Sequence, residues 1–162
     1  MSELLQFLFS GLTVGAVYAL VALGFTIIYN ASDVVNFAQG EFVMLGGMIT
    51  VSAYAAGLPL PLAALIAIVV TAGVGVALNK LAIEPARGAP VVSLIIITIG
   101  ASIFLRGAAQ VLFGKQIHRF PSFSGDEPIR IAGATILPQS LWVIAGGLAV
   151  FVALYIFFTK TL

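Results

Sequence analysis

The chain has no cysteine, a single histidine, and no lysine or arginine before residue 80. Without cysteine there is no disulfide, no thiol nucleophile and no thiolate metal site. With His118 alone, a metal centre would need more carboxylates than six scattered acids supply. Neither a metal nor a cofactor is therefore expected. No Gly-x-x-x-x-Gly-Lys-Ser/Thr phosphate loop occurs, so the chain itself hydrolyses no nucleotide. Nor is there a basic cluster to neutralise phosphates, which excludes nucleic acid as a partner. Met1-Ser2-Glu3 lacks the positive stretch of a cleaved signal peptide, so the first apolar run is expected to stay in the mature protein. His118 has no nucleophile near it and reads as a surface residue. No catalytic constellation emerges, and the chain is not expected to be an enzyme.

Apolar residues fill the space left by these absences. The chain is 61% hydrophobic and 8% charged, with mean hydropathy +1.18. A soluble domain runs at about 45–50% and roughly 25%, so this is an integral membrane protein. Five stretches approach the ~20 apolar residues that a membrane helix needs: 4–29, 37–56, 60–83, 91–113 and 137–158. Asn30 to Asp33, Gly57-Leu58-Pro59 and Asn79-Lys80 punctuate them. The only long hydrophilic stretch, 114–136, is expected to be a polar external loop with a short strand pair near its end. The fold expected is an all-α polytopic membrane protein, one bundle of about five transmembrane helices over residues 1–162 embedded in the lipid bilayer.

Small residues recur at helical spacing. Gly11, Gly15 and Ala19 stand four apart, a stripe that lets helix backbones approach closely in lipid. Basic residues decide orientation only weakly, because Lys80, Arg87 and Lys160 on one side balance Lys115, Arg119 and Arg130 on the other. The short turn carrying Lys80 and Arg87 weighs more than a long loop, favouring an external N-terminus and a cytoplasmic C-terminus.

Asp33-Val34-Val35-Asn36-Phe37-Ala38-Gln39-Gly40-Glu41 is a polar island between two apolar segments, holding two of the three acids in the first 79 residues. Polar groups at membrane depth cost free energy unless they pair, line water or serve a site. One reading is a helix start: Asn36 caps the N3 backbone N–H, Gln39 reaches back, and Glu41 meets the positive end of the helix dipole. The other is that Asn36, Gln39 and Glu41 face a polar cavity beside a broken helix, as in transporters. Both remain open on the cluster alone.

The run Gly15-Ala16-Val17-Tyr18-Ala19-Leu20-Val21-Ala22-Leu23-Gly24, followed by Val35-Asn36-Phe37-Ala38-Gln39-Gly40-Glu41-Phe42, closely resembles the permeases of branched-chain amino-acid ABC importers, the first of their two permease types. Glu84-Pro85-Ala86-Arg87-Gly88 and Thr98-Ile99-Gly100-Ala101-Ser102 form a second matching block. The sequence departs from that pattern at Gln39, where His is common, at Asn30, where Gly is usual, and at Gly46-Gly47-Met48, which stands in place of Gly-Ala-Tyr. The resemblance implies a partial ABC importer permease in a bacterial or archaeal inner membrane, translocating branched-chain or other apolar amino acids. It also implies partners: cytoplasmic ATPase subunits, a homologous second permease subunit, and a periplasmic or extracellular substrate-binding protein. Family permeases continue into a coupling helix about where this chain ends, so the N-terminal portion of a permease is expected. The alternatives are a urea or short-amide importer permease, or a non-transporting truncated membrane fragment.

Three further places carry expectations. Arg106 lies about 10 Å inside the end of its segment at ~1.5 Å per residue; it either snorkels to the interface or pairs with an acid or a substrate carboxylate. Thr98 and Ser102 are four apart and share a helix face, where they either bond back to the helix or line the substrate pathway. Glu84 and Arg87 form either a solvated ion pair of little worth or a contact to the ATPase. The candidate substrate pathway is thus Asn36, Gln39, Glu41, Thr98, Ser102 and Arg106.

Overall fold

The computed structural model describes residues 2–115, 120, 125, 127–131 and 133–160. His118 and Arg119 lie outside them. Five α-helices form: α1 (Ser2–Ser32), α2 (Gln39–Ala55), α3 (Leu60–Leu78), α4 (Val91–Phe113) and α5 (Pro138–Lys160). A strand pair, β1 (Ile129–Ile131) and β2 (Ala134–Ile136), precedes α5. Apart from that hairpin, the described fold is all-α. Among the described residues, four helical stretches are long and apolar enough to cross a membrane: Glu3–Ser32, Leu60–Ala86, Val91–Phe113 and Pro138–Lys160. The chain divides into two compact units, residues 24–120 and residues 1–23 with 121–162.

In the first of these, α1 runs past its expected end to Ser32 and stops at Asp33, whose φ of 54° turns the chain into the left-handed region. Aspartate tolerates that conformation better than most residues. The next residues are irregular, yet Val34, Asn36 and Ala38 are buried. Such backbone is tolerated at membrane depth only where protein covers it or a cavity adjoins it.

Here the expected second span, 37–56, differs from the observed helix. Phe37 and Ala38 form a turn, and α2 begins only at Gln39. At 17 residues and ~1.5 Å per residue it is about 25 Å long, short of the roughly 30 Å hydrocarbon core. One local and one long-range hydrogen bond account for this. The Asn36 Oδ1 accepts the Ala38 N–H at 3.0 Å, and the Thr98 hydroxyl accepts the Phe37 N–H at 3.3 Å, so these two N–H groups are satisfied outside the helix.

At its other end α2 closes on Gly57, with φ 92°. The Gly57 N–H bonds the Tyr54 carbonyl at 2.9 Å and the Leu58 N–H the Ala53 carbonyl at 3.2 Å, the paired pattern of a Schellman cap. Pro59 and Pro61 then start α3. The short link makes α2 and α3 antiparallel neighbours: a Cβ on Gly75 would meet Phe42 Cε1 at 3.8 Å, and one on Gly46 would meet Thr71 Oγ1 at 3.8 Å. Past Leu78, α3 loosens into a π-helical turn (Asn79–Ile83) and a 3-10 turn (Glu84–Ala86). Ala38, Leu45, Leu105 and Ala109 form the buried core, with Phe42, Met48 and Val74 against it.

The other unit holds the first part of α1, the hairpin and α5. Ile129 pairs with Ile136, and Arg130 with Thr135. The Gln6 Oε1 accepts both the Thr135 N–H at 2.7 Å and its hydroxyl at 3.1 Å, fastening the hairpin to α1. Within this unit the close approach of α1 and α5 falls at Gly147. A Cβ on Gly147 would meet Ala16 Cβ and Leu20 Cδ1 at 3.7 Å, whereas among the described residues nothing lies within 4 Å of one on Gly11 or Gly15. Gly11, Gly15 and Ala19 are exposed. Because α1 is apolar all round, spacing alone did not say which face meets α5.

Candidate functional site

The polar island, α2, α3 and α4 bring the sequence-derived residues into two groups within residues 24–120. The first lies between α2 and α4. Glu41, in the first turn of α2, is buried. Its Oε1 accepts the Ser102 hydroxyl at 2.7 Å, Arg106 Nε at 3.1 Å and Arg106 Nη2 at 2.5 Å. Ser102 and Arg106 stand one turn apart on α4 and so converge on one carboxylate. Of the two readings for Arg106, the structure gives the pairing. Thr98 continues the same α4 face one turn earlier and is fully buried. Its hydroxyl lies 2.9 Å from the Ile95 carbonyl and 3.3 Å from the Val35 carbonyl, and accepts from the Phe37 N–H. It therefore holds the island to α4 through backbone groups.

The second group lines a cavity of about 820 Å³ walled by the end of α1, the island, α2 and α3. Asn36 and Gln39 line it, whereas Glu41, Thr98, Ser102 and Arg106 do not. Most of the wall is aliphatic, including Val43, Ala64, Ile68 and Val76. Among the described residues, Lys80, in the π-helical turn, is the one charged residue on it, and no carboxylate lines it.

The capping expectation needs correction. Asn36 bonds the Ala38 N–H, two residues on, instead of the N3 N–H, and among the described residues no side chain caps the start of α2. The Gln39 side chain does not reach back. It lies against α1, where a Cβ on Gly24 would be 2.8 Å from Gln39 Nε2. Glycine at 24 makes the room for that amide.

Thr71, Gly24 and Lys80 were not among the candidate residues. Thr71 is the only hydroxyl in the apolar run of α3, and that isolation was the available signal. Glu84 and Arg87 are both exposed, linked by an Arg87 N–H to Glu84 carbonyl bond of 3.3 Å. Among the described residues no group of three or more His, Asp or Glu could hold a metal ion.

The model of the family described as branched-chain amino acid transport system / permease component matches residues 7–162. The high-affinity branched-chain amino acid transport system permease protein BraD of Pseudomonas aeruginosa is 38% identical over 116 residues, 66% of this chain and 38% of that protein. The LivH permease protein of the corresponding Escherichia coli K12 system is 30% identical over 155 residues, covering 86% of this chain and 50% of LivH. LivH of Salmonella typhimurium is 29% identical over the same shares. The chain thus spans half or less of the length of these curated relatives. No solved structure matches it.

Proposed function

The chain belongs to the branched-chain amino acid transport permease family, and from that premise we propose that it forms part of the membrane pathway of an ABC importer for branched-chain or other apolar amino acids. It is a multi-pass membrane protein. The observation that carries the reading is the cavity beside the irregular segment between α1 and α2, large, mainly aliphatic and edged by the amides of Asn36 and Gln39. Apolar pockets with a few placed polar groups suit ligands that carry hydrocarbon. Urea offers no hydrocarbon to such a wall, so the cavity favours an apolar amino acid over a short amide. The Glu41–Arg106–Ser102 cluster supports the pathway by fixing the start of α2 against α4.

Energy for transport comes, on this reading, from separate ATPase subunits, since the chain has no phosphate loop. A homologous second permease completes the pore and a binding protein delivers substrate. Alternating access needs the ATPase to bias two states of the pore; the exposed turn at Glu84 and Arg87 is available on the side we assign to the cytoplasm.

Reconstitution in proteoliposomes tests this. ATP-dependent uptake of labelled leucine is expected with ATPases, second permease and binding protein present, and none from this polypeptide alone. Uptake of urea in place of leucine would favour the short-amide importer. No uptake of either by the complete set would leave a non-transporting fragment.

A further inference from the structure

Among the described residues, Arg106 is bonded at one edge only. Its Nε and Nη2 donate to Glu41 Oε1 at 3.1 and 2.5 Å, yet its side chain is 64% exposed. A guanidinium carries five N–H donors in a rigid planar fork. The bonds to Glu41 use the Nε–Nη2 edge. No described residue bonds Nη1, so the Nη1–Nη2 edge keeps two parallel N–H groups unused.

Membrane depth makes that edge unusual. Arg106 lies about 10 Å inside the end of α4 at ~1.5 Å per residue, where an unmet charged donor is costly. An arginine without a partner there would snorkel to the interface. Two bonds to a buried carboxylate, itself accepting from Ser102 at 2.7 Å, prevent this and fix the direction of the fork. The helices offer no second acid, because Glu3 and Glu41 are the only ones in the five α-helices.

The free edge selects its occupant. Two parallel N–H groups match a carboxylate bidentately. Glu41 already balances the guanidinium, so a lone anion such as a fatty acid would leave net negative charge at this depth. A zwitterionic amino acid brings its carboxylate without adding net charge. Ile99 and Ile103, both exposed, stand seven and three residues before Arg106 on the same face of α4 and suit a hydrocarbon side chain.

We propose that Arg106 binds the carboxylate of an apolar amino acid through its Nη1–Nη2 edge, with Glu41 and Ser102 as the residues that position it. This subsite is separate from the cavity, whose wall does not include Arg106. It lies toward the Phe113 end of α4, on the side we assign to the exterior. It rests on the transport reading above and names the residue that reads the substrate's carboxylate.

The test exploits the absence of cysteine in this chain. Ile103→Cys puts one thiol within a turn of Arg106. Its modification by a water-soluble maleimide is read by mass on this polypeptide, within the complete assembly in proteoliposomes. Leucine should slow the modification. Leucinamide, which lacks the carboxylate, should need roughly ten- to a hundredfold more to slow it equally, the scale of hydrogen bonds to a charged group. Arg106→Gln should abolish that ratio, and Arg106→Lys, which keeps the charge without the fork, should retain only part of it. Arg106→Gln also strands Glu41, so the double variant Glu41→Gln with Arg106→Gln decides if circular dichroism shows the single variant misfolded. A ratio unchanged in the folded variants overturns the subsite. So does a thiol that leucine fails to protect, or one that the maleimide never reaches because a partner helix covers it. The transport reading survives each of these if the wild-type assembly takes up leucine; no uptake by that assembly overturns the reading and the subsite with it.

Discussion

Arg106 meets Glu41 through a single carboxylate oxygen, Nε at 3.1 Å and Nη2 at 2.5 Å both donating to Oε1. The acid side chain is 8% exposed and the arginine 64%, so the sheltered partner is the anion. Ser102 donates to the same oxygen. One contact thus ties the first turn of α2 to the middle of α4, residues 65 positions apart.

Removing the cation leaves the buried carboxylate with Ser102 alone. Breaking a buried pair costs about 3–5 kcal/mol, and an exposed one about 0–1 kcal/mol. With its cation largely exposed, Arg106→Ala should lie between these, at about 2 kcal/mol. The double variant Glu41→Gln with Arg106→Gln should recover part of the loss, because no charge is then stranded. Thermal unfolding followed by helicity in detergent is the measurement. Equal stability of wild type and Arg106→Ala would show that the pair holds nothing together.

Thr98 holds backbone. Thr98→Val keeps the volume but strands the Phe37 N–H and the Val35 carbonyl, at a cost of about 1–3 kcal/mol. Thr98→Ser retains the hydroxyl and should lose less than half of that. Amide hydrogen exchange at Phe37 should accelerate in the valine variant and stay near wild type in the serine variant. Equal exchange in the two variants would remove the hydroxyl from the account.

Packing between α1 and α5 depends on Gly147. Gly147→Ala fits ordinary contact distances of 3.7 Å to Ala16 and Leu20, but Gly147→Leu forces the helices apart and should cost about 1–3 kcal/mol by overpacking. A Cβ at Gly11 or Gly15 meets nothing within 4 Å among the described residues, and Gly11→Leu and Gly15→Leu should change stability by less than about 1 kcal/mol in either direction. A larger loss at Gly11 or Gly15 than at Gly147 would reverse the assignment of faces.

Local rules made much of this readable. Gly57-Leu58-Pro59 announced the end of α2, because the left-handed cap and the two prolines need only neighbours in sequence. Asn36 was legible as a backbone-capping side chain but not in its register. It caps the preceding turn, since Thr98, from a distant helix, takes the Phe37 N–H and delays the start of α2. Arg106 carried two readings because its partner lies on another helix, and sequence spacing holds no information about that distance. Thr98, Ser102 and Arg106 do fall four apart, and the polar stripe they form was present in the sequence without naming what it faces.

Composition alone determined that this is a polytopic helical membrane protein, because apolar stretches of this length can satisfy their backbone only as helices in lipid. The order of residues in the polar island and in the Thr98–Ser102 block determined the family. Tertiary structure decided which polar residues meet each other and which meet the cavity: Glu41 turned to α4, and Gln39 turned to α1 and the cavity wall. Neighbouring positions on one helix diverge by about 100° each at 3.6 residues per turn, so residues two apart in the island point to different partners. Only the placement of α1, α3 and α4 around α2 says what those partners are.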